Sequence, residues 1–132
     1  MSRFSYTLQY AESEPDAVDD RGLASEEAIL QAFDAFDWRT QVKTADRIQT
    51  CSPTFSVHDH TTERRLWVSG ISNTAWSLPF FKKPPDLLFV HEYRHADQAV
   101  ARPRELELSE ARQAIALFVA GDHAGLLELL VG

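Results

Sequence analysis

The sequence has little cysteine and no long apolar run, and each shortage excludes a class of protein. Cys51 is the one cysteine among 132 residues, so an internal disulfide is impossible and the chain fits a reducing compartment. No apolar run approaches the roughly 20 residues that cross a bilayer. The N-terminus alternates polar and apolar residues and lacks the continuous apolar core of a secretion signal. We therefore expect a cytoplasmic protein without membrane contact.

Motifs that hold phosphates or activate a hydroxyl are also missing. The five glycines form no phosphate-binding loop and no dinucleotide fingerprint, and no serine stands in a nucleophile elbow. We therefore expect no cofactor. The length and the hydrophobic fraction of 44% suit a folded core, and we expect a single domain over residues 1–132.

Bases are scarce in the N-terminal part of the chain. Residues 12–37 contain one base, Arg21, and nine acids, which gives this segment a net charge of −8. The whole chain has a net charge of −7, so the remaining residues sum to +1. The acids are Glu12, Glu14, Asp16, Asp19, Asp20, Glu26, Glu27, Asp34 and Asp37. Such a block repels phosphate backbones, which disfavours direct nucleic-acid binding, and attracts a basic protein. The alternative is a solvated helix face and loop without a partner.

Hydrophobic periodicity predicts an α+β fold. Alternation over Phe4–Tyr10 predicts a strand, residues 12–24 read as a loop, and Ser25 is placed to cap an amphipathic helix over residues 26–37. A second short helix over Val42–Ile48 is one interpretation of an ambiguous stretch. Extended segments follow around Phe55, over Arg65–Ile71 with Trp67 in the core, and over Trp76–Phe81. The polar stretch Asp59–Glu63 reads as a hairpin loop, and Lys82–Pro85 as a stiff connector.

The C-terminal part predicts one or two helices. Ser109 is placed to cap the longer one, Gly121 suits its left-handed end, and Asp122 can cap a short last helix. Short links between strands favour antiparallel pairing. We therefore predict an antiparallel sheet of about four to five strands in a meander, packed with the N-terminal helix and the C-terminal helices.

One catalytic motif is present. Residues His91-Glu92-Tyr93-Arg94-His95 match H-E-x-x-H, in which a helix brings both histidines to one zinc ion and the glutamate activates a water. On a strand the histidines would lie about 13 Å apart and the glutamate would face away. β-Formers and a preceding Pro-Pro favour a strand over Leu87–Arg94. We therefore expect no metal and no catalytic residue, and we keep as an alternative a small zinc metallopeptidase that uses His91, His95 and Glu92.

Three further features have simple interpretations. Cys51 is most simply a packing residue, and the His58-Asp59-His60 run a solvated hairpin tip. Trp76 is either a core residue or an aromatic anchor for a partner.

The strand pattern resembles a known group of proteins. The stretch Ser52–Val57, followed by Leu66–Gly70, resembles the central hairpin of small bacterial immunity proteins, which are encoded beside polymorphic toxins of interbacterial competition. The ending, Leu108–Ala114 through Gly121-Asp122 and the leucine-rich tail, is similar too. The resemblance implies a non-enzymatic inhibitor that blocks the active site of a cognate toxin. A generic protein-interaction domain is the second alternative.

The acidic segment suits a toxin with a basic surface, such as a nuclease or a nucleic-acid deaminase. Candidate partner-binding residues are Glu12, Glu14, Asp16, Asp19, Asp20, Glu26, Glu27 and Trp76.

Overall fold

The computed structural model describes residues 3–12, 18–48, 51–72, 87–101 and 104–131. Within them ten elements follow in the order strand, strand, helix, helix, four strands, helix, helix. The strands are β1 Phe4–Gln9, β2 Asp19–Ala24, β3 Thr54–Asp59, β4 Arg64–Ser72, β5 Leu87–His95 and β6 Gln98–Ala99. The helices are α1 Glu26–Ala35, α2 Trp38–Ile48, α3 Leu108–Val119 and α4 His123–Val131.

The described strands form one antiparallel sheet in the order β2-β1-β3-β4-β5-β6. Strands β3 to β6 make a meander, but β2 returns beside β1 and leaves β1 in the interior of the sheet. Helices α1 and α2 then lead the chain from β2 to β3, on the other side of β1. Strand β2 therefore forms the edge of the sheet opposite to β6, and α1 follows it directly in sequence.

All four helices take part in a core on one face of the sheet. In α1, Ile29 and Phe33 are one turn apart and both buried. Phe33 contacts Phe55 of β3 edge to face, with ring centroids 5.4 Å apart. The rings of Phe118 of α3 and Phe4 are tilted by 57°, with ring centroids 5.9 Å apart. Leu126 and Leu130 of α4 belong to the same core cluster. The opposite face of the sheet carries polar side chains of the alternate residues and also the half-buried Leu88 and Val90.

The α+β class, the antiparallel pairing and several predicted elements are confirmed. Helix α1 begins after Ser25, whose side chain accepts a hydrogen bond from the amide of Ala28 at 3.1 Å. Gly121 has a φ of 77° after α3, and Asp122 accepts from the amide of Gly125 at the start of α4. The extended segment Leu87–Arg94 is also confirmed, since β5 alternates buried and half-buried residues throughout.

Four predictions were wrong. Six strands replace the predicted four to five, because Asp19–Ala24 is a strand within the predicted loop. Two strands therefore precede the first helix. Helix α3 begins at Leu108, and its N-cap is Glu107 instead of Ser109 because Glu107 and Glu110 form a reciprocal capping box.

The fourth correction concerns Trp67. It is half-buried on the face of the sheet that the helices do not cover, beside Arg65 and Glu92, because its neighbours Leu66 and Val68 occupy the core side. The predictions for Trp76–Phe81 and Lys82–Pro85 lie outside the described residues. Within the described part of the chain, no helix is both long and apolar enough to span a membrane.

Candidate functional site

The predicted acidic residues that the structure describes lie mainly along one edge of the molecule. Strand β2 is the outermost strand, and it continues through Ser25 directly into the first turn of α1. Asp19, Asp20, Glu26 and Glu27 therefore follow one another along a continuous edge, and we call these four residues the acidic edge. Carboxylates in the first turn of a helix also interact favourably with the helix dipole, so Glu26 and Glu27 fit their positions.

The two aspartates of β2 differ in what they contact. The carboxylate of Asp19 accepts hydrogen bonds from Arg21 Nε at 2.8 Å and from the Tyr10 hydroxyl at 3.2 Å. The hydrogen bond to Asp19 is the main reason why the pKa of Arg21 rises above its ordinary value. Asp20 accepts only from the backbone amide of Gly22, at 2.9 Å, where the strand bulges and Gly22 has a φ of 71°. Asp20 thus keeps an uncompensated charge within the described part of the chain.

Glu26 and Glu27 are exposed at the mouth of a groove. The groove has a volume of about 710 Å³ and lies between the start of α1 and the end of α3, with Arg3 and Gly121 on its other side. Gln31 donates to Glu27 at 3.5 Å, and no described cation forms an ion pair with either glutamate. Both charges are therefore available to a partner.

Two other acids of the segment have structural roles. Asp34 accepts two hydrogen bonds from Arg112, at 2.8 and 3.1 Å, which tie α1 to α3 and raise the pKa of Arg112. Asp37 accepts from the amide of Thr40 at the start of α2. Of the remaining candidates, Glu12 is exposed beyond the end of β1, whereas Glu14, Asp16 and Trp76 lie outside the described residues.

Exposed apolar side chains accompany the charges on β2, and sequence reasoning missed them. Leu23 is 64% exposed and Val18, just before the strand, is 56% exposed. Leu23 pairs with Ser5 and Asp20 with Thr7. Since Ser5 and Thr7 point to the same side of β1, Leu23 and Asp20 share the face that the helices leave open. Large exposed side chains beside unpaired charges are typical of a protein-binding surface.

The H-E-x-x-H residues do not come together. His91 points into the core and is 3% exposed, Glu92 points to the opposite face, and His95 is exposed at the end of β5. Because β5 is extended, the helical arrangement that a zinc metallopeptidase of this type requires is absent. Burial, with a smaller contribution from Arg104, lowers the pKa of His91, and neither ring nitrogen has a hydrogen-bond partner. This pattern is that of a neutral core histidine.

A polar network at the end of the sheet was also missed. Arg64 Nη1 donates to the Tyr93 hydroxyl at 2.8 Å, and the hydroxyl lies 2.8 Å from His123 Nδ1, so it can donate to that nitrogen. Tyr93 has no exposed surface, and burial raises its pKa against the opposing effect of Arg64. Burial lowers the pKa of His123, and Arg64 adds to this effect. The three residues come from β4, β5 and α4, so no local pattern could have joined them.

The His58-Asp59-His60 run is only in part the predicted solvated hairpin tip. Asp59 is fully buried and bonds to Arg3 at 2.9 Å and to the Thr62 hydroxyl at 2.8 Å. The rings of the two histidines contact each other at an angle of 39°, with ring centroids 4.0 Å apart. Among the described residues no group of three side chains is arranged to hold a metal ion.

At the acidic edge, exposed carboxylates and the exposed side chains of Val18 and Leu23 therefore lie close together in the chain. No protein-family model, curated protein or solved structure matches the chain.

Proposed function

We propose that this protein is an immunity protein that binds a cognate bacterial toxin and blocks its active site. The observation that carries the proposal is the composition of β2 and its approach, where Val18 and Leu23 are exposed and the unpaired Asp20 lies between them. The resemblance of the central hairpin and of the C-terminal helices to small bacterial immunity proteins supports the same function.

Charge alone would keep a protein soluble without binding anything. Exposed Leu and Val side chains, however, favour binding, because burying apolar surface against a partner stabilises the complex by roughly 25 cal/mol per Å². Each also exposes more than half of its surface, Leu23 on the outermost strand and Val18 just before it, where another protein can reach them. An interface that buries these two side chains inside a rim of carboxylates has the usual arrangement of a protein-protein contact.

The charges of the acidic edge favour a basic target. Unpaired carboxylates speed the encounter with a positively charged surface and disfavour acidic partners. Toxins that act on nucleic acid present such surfaces, because their clefts bind phosphates. We therefore propose a nuclease or a nucleic-acid deaminase as the target, and the protein would act in the cytoplasm where such a toxin acts.

The test uses the toxin domain encoded by the neighbouring reading frame. Co-expression with this chain should restore growth of a bacterial host, and the two purified proteins should form a complex. In the triple variant Asp20→Lys, Glu26→Lys and Glu27→Lys, we expect the association rate constant at low salt to fall about tenfold or more and its salt dependence to weaken.

A matched control carries the same change of charge elsewhere. The variant Asp97→Lys, Glu105→Lys and Glu128→Lys replaces three other exposed acids and should slow association much less. If both triple variants associate equally fast, the acidic edge is not the docking surface. If the neighbouring domain neither poisons the host nor binds the chain, the immunity function is wrong, and the interaction domain of another system becomes the better proposal.

A further inference from the structure

No described strand pairs with the outer side of β2 over Asp19–Leu23. On its inner side β2 pairs with β1 over residues 19–24. An edge strand presents unpaired amide and carbonyl groups that another extended chain can bind. The edge of β2 is therefore able to accept one more strand.

The opposite edge of the sheet is covered instead. Strand β6 pairs with Arg94 and His95 at the end of β5. Further along, Phe89 and Leu106 exchange two backbone hydrogen bonds of 2.8 Å. The two edges of the sheet thus differ, and the uncovered one is the edge that carries Asp19, Asp20 and the exposed Leu23.

The side chains of β2 select the kind of strand that can pair with it. A second copy of this chain would bring the same excess of carboxylates to the seam, since residues 12–37 carry −8. The bulge between the pairs of Tyr6 and Thr7 also disturbs the edge, as is common in strands that avoid pairing with themselves. A strand that presents a lysine or arginine opposite Asp20 and an apolar residue opposite Leu23 is attracted instead of repelled, because directly opposed side chains on one face interact.

We propose that a strand of a basic protein partner adds to the outer edge of β2 as a seventh strand. This inference rests on the proposed function, since the partner is the toxin, and it specifies how the toxin is held. Backbone hydrogen bonds hold the added strand, while Asp20 and Leu23 select its charge and its apolar residue. Glu26 and Glu27 then lie beyond the end of the added strand, where they can pair with further bases.

Hydrogen exchange at single-residue resolution tests the proposal on the intact chain, with the toxin domain encoded by the neighbouring reading frame as the probe. In the complex we expect tenfold or greater slowing of exchange at those amides of Asp19–Leu23 that bond neither to β1 nor, as the Gly22 amide does, to the Asp20 carboxylate. The amides of the interior strand β3 serve as the control, since they are already paired on both sides and should change little. The variant Leu23→Lys should weaken the complex by tenfold or more while the chain stays folded, because Leu23 lies on the surface.

The outcomes separate the two proposals. If the complex forms and the outward amides of β2 exchange as fast as before, the added strand is wrong while the immunity function stands. If the chain alone slows the exchange of these amides as its own concentration rises, β2 pairs with a second copy and the proposal is overturned. If no complex forms at all, both proposals fail together.

Discussion

Asp59 shows how a single residue can differ from what its neighbours suggest. Between two histidines in a polar stretch, it reads as part of a solvated turn, yet it has no exposed surface. Its carboxylate accepts from the amides of Thr61 and Thr62, from the Thr62 hydroxyl and from Arg3. Desolvation opposes its ionisation most strongly, but the hydrogen bonds and Arg3 together lower its pKa. Arg3 lies 56 positions away, so the sequence could not reveal the partner.

Replacing Asp59 by Asn should destabilise the fold by about 2 kcal/mol, because the buried acceptor loses its charge and one of its two oxygens. If the remaining oxygen accepts from Arg3 and the Thr62 hydroxyl, the new NH2 group faces the amides of Thr61 and Thr62, which are also donors. The depressed pKa gives the pH dependence. The stabilisation by the wild-type carboxylate is full above its ordinary pKa, near 4, and is lost as pH falls through the lower folded value. Urea denaturation at pH 7 and at pH 3 measures both effects.

The matched control for Asp59→Asn is Asp34→Asn. Asp34 also pairs with an arginine, but both side chains are nearly half exposed, so its loss should cost about 0.5 kcal/mol. Equal costs for the two variants would contradict the assigned role of Asp59.

At the scale of elements, strands with strict alternation were predictable and β2 was not. In β1, Phe4, Tyr6 and Leu8 alternate with the polar residues between them, which is the pattern of a strand with one face in the core. In β2 the run Asp-Asp-Arg-Gly contains poor strand formers, and pairing with β1 decides its conformation. An edge strand tolerates charge because one side meets water. The charges of the acidic edge were visible in the sequence, whereas its place at the edge of the sheet was not.

The contact between α2 and β4 depends on one missing side chain. A Cβ at Gly70 would lie 2.8 Å from Val42 Cγ2 and 3.1 Å from Trp38 Cε3, which is closer than packed carbons allow. We therefore expect Gly70→Ala to lower the free energy of unfolding by about 1–3 kcal/mol through overpacking. Ser56→Ala, on the open face of the adjacent β3, is the control and should change it by less than about 0.5 kcal/mol.

A double variant tests the cause. Val42→Ala removes the methyl group that the new Cβ would meet, so Gly70→Ala should cost less in that background than in the wild type. Additive costs, measured by chemical denaturation, would show that the loss arises elsewhere than in the contact with Val42.

At the scale of the whole molecule, the core, the acidic edge and a polar network occupy different parts of the sheet. The core fills the helical face, the acidic edge lies along β2 and α1, and the polar network of Arg64, Tyr93 and His123 closes another end. The composition predicted a folded acidic protein of the α+β class. It could not predict which of the acids have internal partners, since the contacts of Asp34 with Arg112 and of Asp19 with Tyr10 arise only in the tertiary fold.

Three histidines should make the whole fold sensitive to mild acid. Burial is the largest cause that lowers the pKa of His58, His91 and His123. Nearby positive charges lower these pKa values further: His60 and Arg65 act on His58, and Arg104 acts on His91. Arg64, Arg3 and His95 act in the same direction on His123. Asp59 raises the pKa of His58 and of His123, and Glu63 raises that of His58, but these effects are smaller than that of burial. A histidine whose pKa is depressed in the folded state takes up a proton on unfolding. The unfolding free energy is therefore highest above the ordinary pKa of about 6.5 and falls as pH decreases through it.

Each proton taken up on unfolding changes the unfolding free energy by at most about 1.4 kcal/mol per pH unit. His91 should contribute most to this pH dependence, because it is the most buried of the three histidines. In His91→Leu the unpartnered ring nitrogens are gone, so we expect a more stable protein with a flatter profile between pH 5 and 7. Urea denaturation at constant ionic strength across this range measures both. An unchanged slope in His91→Leu would mean that His91 does not supply the linked proton, and a less stable variant would mean that its ring nitrogens have partners in solution.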